Sequence, residues 1–214
     1  MQFPPIARSH AMTSPLLPET KLDAVNQMLA SIGQAPVNSL DVAGIRDVAI
    51  AELALDTELR KVLTKPWSFN SDYDYPLSPD GNKNILIPST AVKVDPVNTR
   101  DDYVMRWNTG SFMLYDRCKR TFEFEESVDC NITWLYEFEQ IPQHARGYVS
   151  TKAARIFQSQ VIGSPILYEY TAAHETEARA TFLTIERQID DTSILDPRIP
   201  TVATIFNRRT NPTR

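Results

Sequence analysis

The sequence predicts an α+β protein. A helical bundle of two N-terminal and two C-terminal helices is interrupted by an inserted antiparallel β-region and followed by an extended C-terminal arm. Three observations predict this. Apolar residues recur at helical spacing in two separated stretches. Between those stretches lie short β-branched and aromatic runs punctuated by turn residues. Both ends are proline-bearing and carry no period.

Residues 1–19 hold four prolines and read as an N-terminal arm, either extended or a disordered leader. The first helix is expected from Thr20, which can serve as its N-cap, with Asp23 placed to complete a capping box. Leu22, Val25, Met28, Leu29 and Ile32 share one face, Gly33 ends the helix and Pro36 follows. A second helix is expected over about residues 44–64. Its apolar positions are Ile45, Val48, Leu55, Leu59, Val62 and Leu63, and Ala49, Ala51 and Ala54 permit close approach of a neighbour. Pro66 stops it.

From residue 67 to 141 the chain reads as an inserted β-domain. Expected strands are Ile85–Ile87, Val92–Val94, Tyr103–Trp107, Phe112–Tyr115, Thr121–Phe124 and Asn131–Phe138, in a small antiparallel sheet or sandwich. Asp80-Gly81 and Thr109-Gly110 are turn signals, and the DRCKR segment, 116–120, fits a hairpin tip. In TFEFEE, alternation puts Phe122 and Phe124 on one face and Glu123 and Glu125 on the other. A third helix follows Pro142, over about 143–161, with Tyr148, Ala153, Ile156 and Phe157 inward. Gly163 and Pro165 break the chain before a fourth helix to about Asp190. Its buried stripe is expected to be Leu167, Tyr170, Ala178, Phe182, Ile185 and Ile189, opposite a charged face of Glu175, Glu177, Arg179, Glu186, Arg187 and Asp190. The bundle thus comprises 20–66 and 142–191, and 192–214 forms a basic arm of the kind that orders on binding.

Composition narrows the function. The 214 residues suffice for a real core. A net charge of −5 argues against electrostatic capture of nucleic acid. Two cysteines, Cys118 and Cys130, make no disulfide framework; they could pair across a hairpin, but reduced thiols are the expected state. His10, His144 and His174 lie far apart, which leaves no Cys–His metal spacing, and the two on helices read as surface residues. No apolar run is long enough to span a bilayer. The opening residues lack the apolar core of a secretory signal, so synthesis in a cytoplasm is expected. There is no phosphate-binding glycine loop and no nucleophile elbow. No catalytic residue, metal or cofactor is assigned.

Two stretches carry a resemblance. The first is LDAVNQMLASIGQAPVNSLD, where Leu22, Ala24, Val25, Asn26, Ala30, Ser31, Ile32, Gly33, Pro36 and Val37 match a family pattern. The second, residues 141–182, presents Thr151, Lys152, Ala153, Arg155 and Phe157, then Gly163 and Pro165, then Glu177, Ala178 and Arg179. Trp67 and Phe69 add a weaker point. In these residues the chain resembles the tail tubular protein A family, the adaptor or gatekeeper subunits of short-tailed phages. The resemblance covers the helical parts, and the β-region matches by position and character.

The resemblance implies a structural virion protein: a dodecameric ring between the portal protein and the tail nozzle (tail tubular protein B), with tail fibres as a further neighbour. Double-stranded DNA would pass through its lumen without specific binding, and no membrane is involved. Portal-contact candidates are Arg198, Arg208, Arg209 and Arg214 of the arm, together with Lys152 and Arg155 on the third helix. Channel-lining candidates are Glu175, Glu177 and Glu186, whose repeated charge would keep a polyanion sliding; a solvated helix face with Glu–Arg pairs is the simpler alternative. The competing enzyme reading is a tail-associated polysaccharide or peptidoglycan hydrolase using Glu123, Glu125 or Glu137.

Overall fold

The computed structural model describes residues 18–41, 46–98, 102–163 and 165–194, the spans 165–170 and 190–194 by backbone alone. Within them the order is α1 (Lys21–Ser31), α2 (Arg46–Leu63), β1 (Ser71–Leu77), β2 (Ala91–Pro96), β3 (Tyr103–Asn108), β4 (Ser111–Asp116), β5 (Val128–Trp134), a 3₁₀ turn (Phe138–Gln140), α3 (Gln143–Val161) and α4 (Pro165–Ile194). The α+β class and the helix–β–helix order are those expected.

Local chemistry sets the helix ends. The Asp23 amide donates to Thr20 Oγ1 at 3.2 Å, and the Thr20 amide donates to Asp23 Oδ2 at 3.0 Å, closing the expected capping box. At the other end Gly33 takes φ +77°. Its amide donates to the Ala30 carbonyl and that of Gln34 to Leu29, the two bonds of a Schellman stop. A side chain at Gly33 would be strained whatever the free space around it.

The helical core gathers Ala24, Val25, Met28 and Leu29 of α1, Val48, Ala51, Leu55, Leu59, Val62 and Leu63 of α2, and Ala145, Val149, Ala153 and Phe157 of α3. Leu22 and Ile32 are half-buried and Ala49 is exposed. Ile45 lies outside the described residues. The core also takes Phe138 and Ile141, with Trp67, Phe69, Leu135 and Tyr136 packed against it. Residues flanking the strands, assigned from sequence to the β-insertion, therefore serve the helices.

On α4 the expected stripe needs correction. Phe182 is buried, while Ala178 and Ile185 are half-buried. Ile189 is 43% exposed, whereas Glu186 is 3% exposed. The side chains of Leu167, Tyr170 and Asp190 lie outside the described residues. The helix also runs to Ile194, past the point where the arm was expected to begin.

The strands form a three-stranded antiparallel sheet, β1-β5-β2, and the β3-β4 hairpin. A second core of Leu77, Ile85, Ile87, Ala91, Val94, Leu114, Phe124, Cys130 and Ile132 lies among them. At the hairpin turn Thr109 and Gly110 both have positive φ, 43° and 90°, as a two-residue primed turn demands. Asp116 and Thr121 exchange both backbone hydrogen bonds, so DRCKR is a hairpin tip as read. Phe124 is buried and Phe122 half-buried, with Glu123 and Glu125 exposed.

Two expected strands, Ile85–Ile87 and Thr121–Phe124, are reduced to isolated bridges. The run expected from Asn131 to Phe138 is strand only through Trp134, because Leu135 onward turns to the helical core. The edge strand β1 was not foreseen: its SDYDYPL sequence is mostly exposed and bulged between Asp72 and Tyr75. Cys118 is exposed and Cys130 buried, and no disulfide joins them.

Candidate assembly surfaces

Asn70 joins the helical and β parts. It is fully buried, and its Nδ2 donates to the carbonyls of Leu63 (3.0 Å), Lys65 (3.3 Å) and Trp134 (3.2 Å). Its Oδ1 accepts from the Trp67 amide at 2.7 Å. One side chain thereby fixes the exit of α2 against the end of β5. Nothing in its sequence neighbourhood marks it out.

The N-terminal entry is tied down in the same manner. Arg146 donates to the carbonyls of Ile141 (2.8 Å), Glu19 (2.7 Å) and Glu139. The Glu19 amide donates to Gln143 Oε1, and that of Lys21 to Glu139 Oε1. Burial raises the Glu19 carboxyl above the ordinary carboxylate range.

Glu186 is placed inside the protein, not on a channel wall. Its Oε2 accepts from the Ser68 amide at 3.0 Å and the Ser68 hydroxyl at 2.9 Å, and its Oε1 lies 2.7 Å from His144 Nε2. A buried carboxylate must be hydrogen-bonded, and the turn after α2 supplies the donors. His144, expected on the surface, is likewise half-buried, stacked on Phe182 and edge-on to Phe69. Ser68 and His144 both meet the carboxylate and form no Ser–His pair, so the cluster is a brace and not a catalytic triad.

Phe182 anchors α4 from the other side. It stacks on Tyr148 with ring centroids 5.3 Å apart and meets Trp67 edge-on at 4.6 Å. The Trp67 indole donates to the Val62 carbonyl.

The two cations of α3 expected to reach a partner find carboxylates of their own chain. Lys152 Nζ lies 3.0 Å from Glu58 Oε2, and Lys61 Nζ 2.5 Å from Glu58 Oε1. Glu58 is 1% exposed. Burial pushes its carboxyl up, but the two ammonium groups outweigh that and hold it below the ordinary range. Arg155 of α3 pairs with Glu175 of α4, both largely shielded, a cross-helix pair and not the solvated Glu–Arg face of α4 weighed as the simpler alternative. Of the channel-lining candidates, Glu177 is exposed and Glu175 half-buried. Arg198, Arg208, Arg209 and Arg214 lie outside the described residues.

The carboxylates weighed for hydrolysis gain no support as a pair. Glu123, Glu125 and Glu137 are all exposed, so none is desolvated as an acid catalyst would be. Glu137 takes part in capping the 3₁₀ turn, its amide accepted by Gln140 Oε1.

Most of the exposed large apolar side chains lie in the β-region, while Leu53, Val161, Ile162 and Ile189 are exposed on the helices or at their ends. Trp107, 64% exposed, meets Phe112 edge-on at the β3-β4 turn, with Leu86 exposed on the adjoining strand-like segment. Tyr73 and Tyr75 stand on the edge strand β1.

The family model for Tube: Tail tubular protein matches residues 22–192, from α1 through all but the last residues of α4. The chain belongs to the tail tubular protein family. It is a structural phage-tail protein, a component of the virion. The match spans both helix pairs and the strands between them, so the β-region, which the resemblance covered only by position, falls within the family too. No curated protein matches the sequence. Among the described residues no helix of this tail tubular protein is long and apolar enough to cross a membrane.

Proposed function

We propose that this tail tubular protein is an adaptor subunit that closes into a ring, a dodecamer, between the portal and the tail nozzle, enclosing part of the path for genome ejection. The family match across 22–192 carries the reading. The fold supports it physically: a braced helical part and a β-part with exposed aromatic side chains offer two unlike surfaces, the requirement for a ring built from head-to-tail contacts. The portal contact is assigned to the basic arm through Arg198, Arg208, Arg209 and Arg214; Lys152 and Arg155 hold their own fold. The exposed aromatic hairpin at Trp107 and Phe112 suits the nozzle side. Glu177, exposed on α4, is assigned to the lumen, where repeated negative charge lets DNA slide without gripping it, while Glu175 stays paired with Arg155. The subunit is made in the host cytoplasm, and its partners are the portal, the nozzle with the fibres beside it, and further copies of itself.

Removal of residues 192–214 tests the arm. The full chain is expected to bind cognate portal rings saturably in sedimentation, and the truncated chain to lose that binding while keeping its thermal transition. Undiminished docking of the truncated chain would contradict this account of the arm.

A further inference from the structure

One cleft and one groove stand out from the overall acidity of the chain. A cleft of about 50 Å³ opens where the end of α2 meets α3 and α4. Lys61, Lys65, Lys152 and Arg179 border it around the rings of Trp67, Tyr148 and Phe182. Glu58 answers two of these cations, Lys61 and Lys152. Lys65 and Arg179 are exposed and have no ion-pair partner among the described residues. Glu175, one helical turn before Arg179 on α4, is already taken by Arg155. The cleft is therefore a local excess of positive charge on an aromatic floor, with space for a carboxylate group.

The groove lies in the β-region. It measures about 530 Å³ and is bordered by Glu123, Glu125, Glu126 and Asp129 over a floor that includes Tyr103 and Phe124. Lys119 at its edge and Lys83, paired with Glu125, offset part of the charge. Glu123, Glu126 and Asp129 have no ion-pair partner among the described residues. No ion pair joins the cleft to the groove within the chain among those residues.

We infer that the basic cleft of one copy receives the acidic rim, Glu123 to Glu126, of the next copy around the ring. This rests on the ring reading above and names the contact that closes it. A two-fold contact through either feature alone would set like charges face to face, which is repulsive. A head-to-tail contact matches opposite charges and leaves the same pair of surfaces free at each end, and such a contact closes a ring or extends a filament. Occupation of the cleft gives Lys65 and Arg179 the partners they lack within one copy.

Charge reversal tests it at positions whose side chains carry no hydrogen bond or ion pair among the described residues. One variant combines Lys65→Glu with Arg179→Glu, and the other Glu123→Lys with Glu126→Lys. Both are expected to keep the wild-type thermal transition. Added separately to portal rings, each is expected to lose ring closure, with at least a tenfold rise in the subunit concentration required. Mixed in equal amounts they are expected to restore it, because in an alternating ring the acidic reversed cleft of one kind meets the basic reversed groove of the other, and the native cleft of the second meets the native groove of the first. Zero-length carbodiimide coupling of the wild-type ring is expected to join Lys65 to Glu123 or Glu126 between copies. Ring closure by either variant at the wild-type concentration overturns the contact while leaving the ring standing, as does a mixture that fails to recover. Wild-type protein that forms no ring on the portal under any condition overturns the ring reading and this contact with it.

Discussion

At the scale of single residues, the account rests on polar groups that the interior has to satisfy. Glu58 is the most informative. Its folded pKa lies below the unfolded value, so its contribution to stability is fully present above the ordinary value of 4.5 and is lost as pH falls through the folded pKa. Glu19 is shifted the other way: its contribution is present below 4.5 and is lost as pH rises through the folded pKa. Glu58→Gln is expected to destabilise by about 1.5–3 kcal/mol at neutral pH, the range for hydrogen bonds to a charged group. Denaturant unfolding at neutral pH and near pH 4 checks it, and the gap between variant and wild type is expected to narrow in acid. Asn70→Ala is expected to cost about 1–3 kcal/mol for each buried partner left without a bond, again by denaturant unfolding. An Asn70→Ala chain as stable as wild type would remove Asn70 from its place as the joint between helices and strands.

At the scale of elements, the decisive contact is α4 against α3. Phe182 is 1% exposed between Tyr148, Trp67 and His144. Its truncation to Ala is expected to cost about 3–5 kcal/mol and to speed hydrogen exchange of α4 amides above those of α1 and α2. Uniform exchange in all the helices would mean that α4 is not held mainly there. Helices α1, α2 and α3 were legible because caps and stops, Thr20 with Asp23, Gly33, Pro66 and Pro142, bracket strong apolar periods. The strand β1 was not legible, since Asp72 and Asp74 are poor strand residues and only pairing with β5 holds that edge in place. The inward turn of Glu186 was hidden for a related reason. A glutamate at a stripe position of an amphipathic helix reads as surface until the Ser68 donors and His144, distant in sequence, are brought beside it. Of the candidate site, neither the Arg155–Glu175 pair nor the Glu58–Lys152 pair was legible, because each joins two helices whose packing the sequence does not show.

At the scale of the whole molecule, the chain combines an acidic total charge with a basic cleft, an acidic groove and an exposed aromatic hairpin, on a body braced internally by Asn70, Arg146 and Glu186. A part that meets several neighbours has a use for each of those surfaces, as the proposed ring subunit would. The aromatic hairpin belongs to this scale: Trp107→Ser with Phe112→Ser is expected to leave folding and portal docking unchanged and to abolish addition of the nozzle protein, measured by co-sedimentation with preassembled portal and adaptor rings. Loss of portal docking in that variant would reverse the assigned orientation. The central claim is the ring itself. Negative-stain imaging of the purified chain mixed with its cognate portal tests it most directly. An added layer seen end-on as a closed annulus is the predicted result, and bare portals at saturating subunit concentration would contradict the account.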